Sequence, residues 1–391
     1  MAIKPSGKTL NINYKMNLDE ASLYIHIPFC ADKKCDYCDF YSVPVKRLDP
    51  CISLFIDNLI RQGDKLFEKY KPKSIPTVYI GGGTPSVLCH TETSRLLKWL
   101  NGIISKFSSS VPAEVTIEAN PESLNDDFLA AIREGGVTRL SLGIQTFHDP
   151  SRSAIGRIGD GISLYKKLAL AAAYYPESFS ADLMCGLPFQ NKKNLHDDIS
   201  DLISFKPAHI SFYALTLAPE SALRIISEKG EYADELWISG RDALESAAYR
   251  QYEVSNFCLT GKESLHNIRY WRMKSWLALG PGASGTIIQK DRAYRYTFPQ
   301  ELSDWNVPHT EELDEKTLIK DTFLMGFRYI EGPDEELFRQ RFNKSINKLI
   351  PKTLKEWRSR SLMQSDKCAL TKEGLLLLDQ FLINAFEELD A

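Results

Sequence analysis

Short apolar runs alternate with longer segments of helical periodicity along most of the chain. The run Leu23–Ile27 is rich in β-branched and aromatic residues and stops at Pro28, which predicts a buried strand. The segment Ile52–Lys69 places apolar residues three and four positions apart, which predicts a helix. The same criteria predict further strands at Thr77–Ile80, Glu114–Ala119, Arg139–Ile144, Phe179–Met184 and His209–Leu215. They predict further helices at Thr91–Ser105, Asn125–Glu134, Ile162–Tyr175, Asn194–Phe205 and Asp234–Arg250.

Strands that alternate with helices predict parallel pairing with right-handed crossovers, and therefore an α/β fold. About six such units are too few to close an eight-unit barrel, so we expect an open, partial barrel. From about Glu311 the alternation stops and helical spacing takes over. We therefore expect a barrel domain over residues 1–305 and a small, mainly helical C-terminal domain over residues 306–391.

Composition narrows the class of protein. The chain has 391 residues and 43% of them are hydrophobic, which is enough for a large core. The 48 basic and 51 acidic residues give a net charge of −3, which does not favour nucleic acid as a partner. The sequence shows neither an apolar run long enough to span a bilayer nor the apolar core of a signal peptide at its N-terminus, so we expect a cytoplasmic protein.

Three cysteines follow the first predicted strand within nine residues, at Cys30, Cys35 and Cys38. Structural zinc usually takes four protein ligands as two separated pairs, and elsewhere the sequence holds no second pair of Cys or of Cys and His at the spacing of zinc ligands. Three thiolates would leave one coordination position open, as an iron–sulfur cluster with a free iron requires. The alternatives are an inert structural metal module, which lacks a fourth ligand, and three incidental cysteines.

Polar residues also stand at the ends of the other predicted strands. They are Gly81–Gly83 with Thr84 after the second strand, Glu118 and Asn120 after the third, Gln145 after the fourth, Asp182 in the fifth, and Ser211, Tyr213 and Thr216 in the sixth. Because the carboxyl ends of parallel strands share one face, we expect an active site there. The glycine triplet matches neither a dinucleotide fingerprint nor a phosphate loop, so a tight turn and close backbone approach to a ligand both stay open.

The segment YIHIPFC…CDYCDFYS resembles the cluster loop of radical S-adenosylmethionine (SAM) proteins. The likeness is to the branch that contains oxygen-independent coproporphyrinogen III oxidase and the HemW haem chaperones. It implies that Cys30, Cys35 and Cys38 bind a [4Fe-4S] cluster. The family's loop has three residues between its first two cysteines, whereas four stand here, from Ala31 to Lys34.

The resemblance also implies a SAM site. GGGTPS, with Gly82, Gly83 and Thr84, resembles the segment that contacts the methionine amino group, and Glu118 resembles the residue that binds the ribose. Further matches to family positions that line this pocket or lie near the cluster are Tyr24, Tyr37, Gln145, Arg157 and Asp182. For Gln145, Arg157 and Asp182 the alternative is a structural network, and for the tyrosines it is core packing. For Glu118 it is a helix-capping or surface carboxylate.

A second motif, LHNIRYW at Leu265–Trp271, resembles the HNxxYW motif of the haem chaperones through His266, Asn267, Tyr270 and Trp271. An imidazole is a good axial iron ligand and aromatic rings can stack on a porphyrin. A loop histidine with two core aromatics is the alternative. The chaperones usually have a histidine where Ser284 stands. We expect changes in this motif to leave the cluster and the SAM site intact.

Taken together, the resemblance implies a haem chaperone that binds a [4Fe-4S] cluster, SAM and haem and passes haem to acceptor proteins, membrane-associated ones among them. The alternative is an oxygen-independent coproporphyrinogen III oxidase, an enzyme of porphyrin biosynthesis with a porphyrinogen as substrate. The resemblance also implies a winged-helix-like C-terminal domain, which would pack over the barrel mouth or contact a recipient protein.

Overall fold

The computed structural model of the protein describes residues 17–217, 223, 233–289 and 292–391. One sheet of twelve strands dominates it, and two short strands form a separate ribbon. The strands are β1 Ser22–Ile27, β2 Phe29–Ala31, β3 Val43–Val45, β4 Thr77–Gly82, β5 Glu114–Ala119, β6 Arg139–Gln145, β7 Phe179–Cys185, β8 His209–Ala214, β9 Arg250–Gln251, β10 Asn256–Cys258, β11 Trp276–Leu279, β12 Ser284–Ile288, β13 Ala293–Thr297 and β14 His309–Leu313. The helices are α1 Pro50–Tyr70, α2 His90–Phe107, α3 Asp126–Glu134, α4 Asp149–Ala154, α5 Gly161–Tyr174, α6 Lys192–Ser204, α7 Ala233–Ser246, α8 Leu265–Trp271, α9 Glu315–Gly326, α10 Glu335–Phe342, α11 Ile346–Leu349, α12 Pro351–Ser359, α13 Lys372–Leu375 and α14 Leu378–Asp390.

The six predicted strands are β1 and β4 to β8, and they pair in parallel in that order. Helices α1, α2, α3, α5 and α6 connect or flank them, which confirms the α/β class and the partial barrel. The barrel is open because its two outer strands, β1 and β8, pair with further strands and not with each other. Strand β11 pairs with β1, and β10 pairs with β8 in antiparallel orientation.

Local sequence explains where the crossover helices begin and end. Asp49 caps α1 by accepting a hydrogen bond from the Cys51 amide, Pro50 occupies the first turn, and Lys71 ends the helix in a left-handed conformation. Asn125 caps α3 in the same way, by accepting from Phe128 N. The apolar faces of these helices pack on the sheet in a single large core.

The C-terminal part has its own apolar core, in which Trp357, Phe381 and Phe327 pack ring against ring. Its helices are α9 to α14, and an isolated bridge between Met363 and Leu370 joins the segments between α12 and α13. Strand β14 lies beyond residue 305, so the sheet continues past the domain boundary that we predict from sequence. In the described ranges, no helix is both long enough and apolar enough to cross a membrane.

Candidate functional site

A cavity of about 510 Å³ opens at the carboxyl ends of the parallel strands. This is the face on which parallel α/β barrels carry their active sites. It brings together most of the residues predicted from sequence. The predicted residues that line it are Cys30, Cys35, Tyr37, Cys38, Gly82, Gly83, Thr84, Glu118, Gln145, Arg157 and Asp182.

The cysteine loop begins on β2, which carries Cys30. The next residue but one, Asp32, has a φ of 54°, and the Lys33 amide donates to the Ala31 carbonyl at 2.5 Å. This tight turn absorbs one residue of the loop locally and so accommodates the longer spacing between the first two cysteines. A second turn follows, in which the Cys38 amide donates to the Cys35 carbonyl at 3.2 Å.

All three loop cysteines are free thiols and half-buried. The Thr84 hydroxyl donates to Cys30 Sγ at 3.8 Å, and Arg157 Nη1 donates to Cys35 Sγ at 3.7 Å. Burial raises the pKa of Cys38, so its thiolate needs a cation or a metal to stabilise it.

Three thiols on one cavity wall fit a cluster better than a single ion. Across the described part of the chain, no three His, Cys, Asp or Glu side chains converge to hold one metal ion. In a four-iron cluster each thiolate binds a different iron, so the sulfurs need not converge on one point. The residues present therefore fit a cluster with one iron left open.

The glycine triplet forms the wall next to this loop, and each glycine is there because a side chain has no room. A Cβ on Gly83 would lie 2.4 Å from the Phe29 carbonyl oxygen, and one on Gly81 would lie 2.7 Å from the carboxyl of Glu118. Gly82 has a φ of 111°, which disfavours any residue with a side chain. The Gly83 and Thr84 amides donate to the strand that leads into Cys30, at 2.8 and 2.6 Å. The triplet therefore fixes the cysteine loop as well as the cavity wall.

Glu118, the last residue but one of β5, has its carboxylate in the cavity. Tyr79 donates its hydroxyl to Oε1 at 2.6 Å, and the Gly82 amide donates to Oε2 at 3.0 Å. Burial raises the pKa of Glu118 to about 7, and the negative charge of Asp182 adds to that effect, while the two hydrogen bonds oppose it. Near neutral pH the group is therefore balanced between its neutral and ionised forms.

Asp182 and Arg157 both line the cavity. Burial raises the pKa of Asp182 to about 6, against hydrogen bonds from Ser211 and Ser141 and the charge of Arg157. Arg157 donates to Asn120 Oδ1 at 2.5 Å and also to the carbonyl of Gly143. Among the residues described, its buried Nε finds no partner. A polar ligand in the cavity could accept that hydrogen bond.

Gln145 lies where the pairing of β6 with β7 shifts register, with a φ of 69°. A left-handed glutamine is uncommon, and such conformations concentrate at functional sites. The two tyrosines predicted at the site lie in different places. Tyr37 lines the cavity, whereas Tyr24 is outside the cavity lining as the structure describes it. The Tyr24 hydroxyl forms a hydrogen bond with His26 Nδ1 at 2.9 Å, and the Tyr24 ring stacks on Tyr79. Tyr24 therefore supports the site from outside the cavity lining.

The HNxxYW segment forms α8, which closes the opposite end of the barrel. Glu114, at the start of β5, accepts hydrogen bonds from the amides of Leu265 and His266 at 3.1 and 3.0 Å. His266 is fully buried, with Nδ1 2.9 Å from the Thr77 hydroxyl and Nε2 2.9 Å from the Tyr270 hydroxyl. Both ring nitrogens are occupied, so in this conformation His266 cannot bind iron.

Asn267 and Trp271 are half-buried on the same helix. The guanidinium of Arg328 lies 5.0 Å from the Trp271 ring centre. The four motif residues therefore share one short helix, but they do not converge on a pocket in this conformation.

The structure places three further residues at the site that the sequence alone did not single out: Ser141 and Met184 line the cavity, and Tyr79 bonds Glu118. The alternation of side-chain direction along each strand could have predicted these residues. Residues at every second position of a strand face the same side, so Ser141 shares its side with Gly143, and Met184 with Asp182. Tyr79 is two residues before Gly81 on β4, so it faces the same side of that strand as Gly81, toward Glu118.

Comparison with known proteins gives the class that this fold and site define. A sequence model of the radical SAM superfamily matches residues 24–202. The chain is 30% identical to the heme chaperone HemW of Bacillus subtilis over 91% of its length and 96% of that protein. It is 31% identical to the heme chaperone HemW of Escherichia coli over 84% and 83% of the two chains.

The fold as a whole is similar to a solved structure, that of the radical SAM enzyme coproporphyrinogen III oxidase (HemN) from Escherichia coli. The TM-score is 0.76 over 95% of this chain and 90% of that chain, at 20% identity, which shows a shared fold. The chain is a radical SAM protein. Within that superfamily it belongs to the HemW family. Membership of the superfamily implies a [4Fe-4S] cluster and SAM, which the residues of the cavity fit.

Proposed function

We propose that the protein is a cytoplasmic haem chaperone that holds a [4Fe-4S] cluster and SAM at the barrel rim and delivers haem to acceptor proteins. The observation that supports this most is its similarity, over nearly the whole chain, to relatives named heme chaperone HemW. Its sequence also carries the HNxxYW residues, from His266 to Trp271.

In this proposal Cys30, Cys35 and Cys38 hold the cluster. Gly82, Gly83 and Thr84 bind the amino acid end of SAM, and Glu118 accepts hydrogen bonds from its ribose. Tyr37, Gln145, Arg157 and Asp182 complete the pocket. SAM would be bound at the open iron of the cluster, and these side chains orient it.

Haem is assigned to α8, with His266 as its axial ligand. Burial lowers the pKa of His266 to about 3, so the imidazole is neutral and keeps the lone pair that iron requires. That lone pair becomes accessible only if α8 leaves the barrel floor, which breaks the contact of His266 with Thr77, and if the hydroxyl of Tyr270, on the same helix, turns away from Nε2. Haem loading by His266 is therefore coupled to opening of this helix.

The first prediction separates a chaperone from an oxidase. Added haem should give a protein-bound Soret band that weakens or shifts in His266→Ala, because removal of an axial ligand changes the coordination of the iron. Tyr270→Phe releases Nε2 from its hydrogen bond and should bind haem at least as tightly as the wild type. Absorption titration with haem measures both effects.

His209→Ala is the matched control, since His209 is also buried with two hydroxyl partners, Ser180 and Tyr252, and should not change the haem spectrum. The oxidase alternative predicts a different outcome. Conversion of coproporphyrinogen III at a catalytic rate, with SAM and a reductant, by a protein that retains no haem and stays active as His266→Ala would overturn the chaperone proposal.

The second prediction concerns SAM. Glu118→Ala and Asp182→Ala should each weaken SAM binding roughly ten- to a hundredfold, because a hydrogen bond to a charged group contributes about 1.5–3 kcal/mol. Iron content should stay unchanged. Calorimetric titration of the cluster-loaded protein under anaerobic conditions measures the affinity.

Asp321→Asn is the control for this prediction. Asp321 is likewise a buried carboxylate, but it is paired with Arg295 near the C-terminal helices. It should leave SAM affinity unchanged. If SAM affinity is unaltered in both Glu118→Ala and Asp182→Ala, these carboxylates have a structural role and do not bind SAM.

A further inference from the structure

A column of side chains runs through the barrel from the cavity to α8. It starts at Glu118, whose Oε1 accepts from Tyr79 at 2.6 Å. The Tyr79 ring packs against the His266 ring with 5.3 Å between their centres, and His266 bonds Tyr270 at 2.9 Å. The two ends of the barrel are therefore in contact through consecutive side chains.

Each member of this column has little freedom to move. Tyr79 and the Glu118 carboxyl both lie directly over Gly81, where an added Cβ would be 2.8 Å from the Tyr79 ring and 2.7 Å from Glu118. Below them, His266 is held by Thr77, which itself donates to Ser22 at 2.9 Å. A glycine at position 81 thus lets the tyrosine and the glutamate approach each other closely enough to bond.

We infer that Tyr79 and His266 are positioning residues for Glu118, so that the helix carrying the HNxxYW residues also sets the geometry of the SAM site. This inference rests on the proposed role of Glu118 in binding SAM. It departs from the expectation that changes in the haem motif leave the SAM site intact, because His266 packs against the ring whose hydroxyl bonds the carboxylate.

The groups that face Glu118 determine how the inference is tested. They are Tyr79 on β4, Tyr24 on β1, Asp182 on β7 and Tyr213 on β8. Of these side chains, only Tyr79 donates a hydrogen bond to the carboxylate in the described part of the chain. Such a donor stabilises the ionised form, so its removal should raise the pKa of Glu118 further above its ordinary value.

The test is the pH dependence of SAM binding to the cluster-loaded protein. The ionised carboxylate accepts from the ribose, so binding should weaken as pH falls through the pKa of Glu118. In Tyr79→Phe the midpoint should move up by about one pH unit, since a bond to a charged group shifts a pKa by roughly that much. Affinity should then be several-fold weaker at pH 7 and close to that of the wild type at pH 9.

A second measurement does not depend on bound cofactors. The titration of Glu118 can be followed by ¹³C NMR of glutamate-labelled protein without SAM, with Glu118→Gln to assign the signal. It should show the same upward shift in Tyr79→Phe. His266→Gln should shift the midpoint in the same direction but less, because it loosens the Tyr79 ring and keeps its hydroxyl. His209→Gln should not shift it.

Two outcomes have different meanings. If Glu118→Ala leaves SAM affinity unchanged, the proposed role of Glu118 fails. If Glu118→Ala weakens SAM binding but Tyr79→Phe titrates like the wild type, or His209→Gln shifts the midpoint as much as His266→Gln, the positioning inference alone is overturned.

Discussion

Replacing Cys30, Cys35 or Cys38 by alanine should remove the cluster, with iron falling from about four atoms per chain to near zero. The reason is that no other His, Cys, Asp or Glu cluster in the described part of the chain could take over. Iron analysis and the loss of the brown absorbance after anaerobic reconstitution measure the effect.

Cys51→Ala and Cys89→Ala are matched controls, because both residues are half-buried free thiols outside the cavity lining. They should keep a full complement of iron. Cys35→Ala is the most informative variant, because the additional residue of the loop lies between Cys30 and Cys35. Retention of the cluster in Cys35→Ala would mean that the ligand set differs from the one proposed.

Arg152→Ala should lower the free energy of unfolding by about 3–5 kcal/mol, the usual cost of breaking a buried ion pair. The Arg152 side chain is only 1% exposed and forms an ion pair with Glu122 at 2.9 Å. It also donates to the carbonyls of Ile144 and Thr146 on one side and of Ile158 and Gly159 on the other. Removing it leaves a carboxylate and four carbonyls without this donor.

Because Arg152 ties the end of β6 to the segment around Arg157, the variant should also disturb the cavity wall. Urea unfolding followed by circular dichroism measures the stability. Arg339→Ala is the control, since its ion pair with Glu336 is largely exposed and should contribute at most about 1 kcal/mol. A loss of similar size in both variants would contradict the argument from burial.

The six parallel strands could be predicted from sequence because each is a compact apolar run between polar turns. Strands β11 to β14 could not. Trp276–Leu279 is only four residues long and is followed directly by a glycine-rich turn, and Ala293–Thr297 is only five residues long, with a single arginine between two tyrosines. Short strands of this kind are specified by the neighbours they pair with, so their own sequence carries little signal.

The residues of the site also fall into those whose position the sequence predicts and those whose position it does not. Glu118, Asp182 and the glycine triplet stand at strand ends, and their meeting in one cavity follows from parallel topology. The place of His266 does not, because its burial depends on Thr77 and Glu114 at the starts of two distant strands. Local sequence identifies the motif but not the surface against which α8 packs.

We expect the pairing of β1 with β11 to delay completion of the cluster site during synthesis. Strand β1 emerges first, yet its partner residues Trp276–Leu279 come from the other half of the chain. Contacts between such remote segments form slowly, and an unpaired strand edge is prone to aggregate in the meantime. A chain cut before residue 276 would contain all three cysteines and every rim residue, but β1, which leads into Cys30, would keep only β4 of its two neighbouring strands. We therefore expect the last third of the chain to stabilise a cluster site to which it contributes none of the proposed ligands.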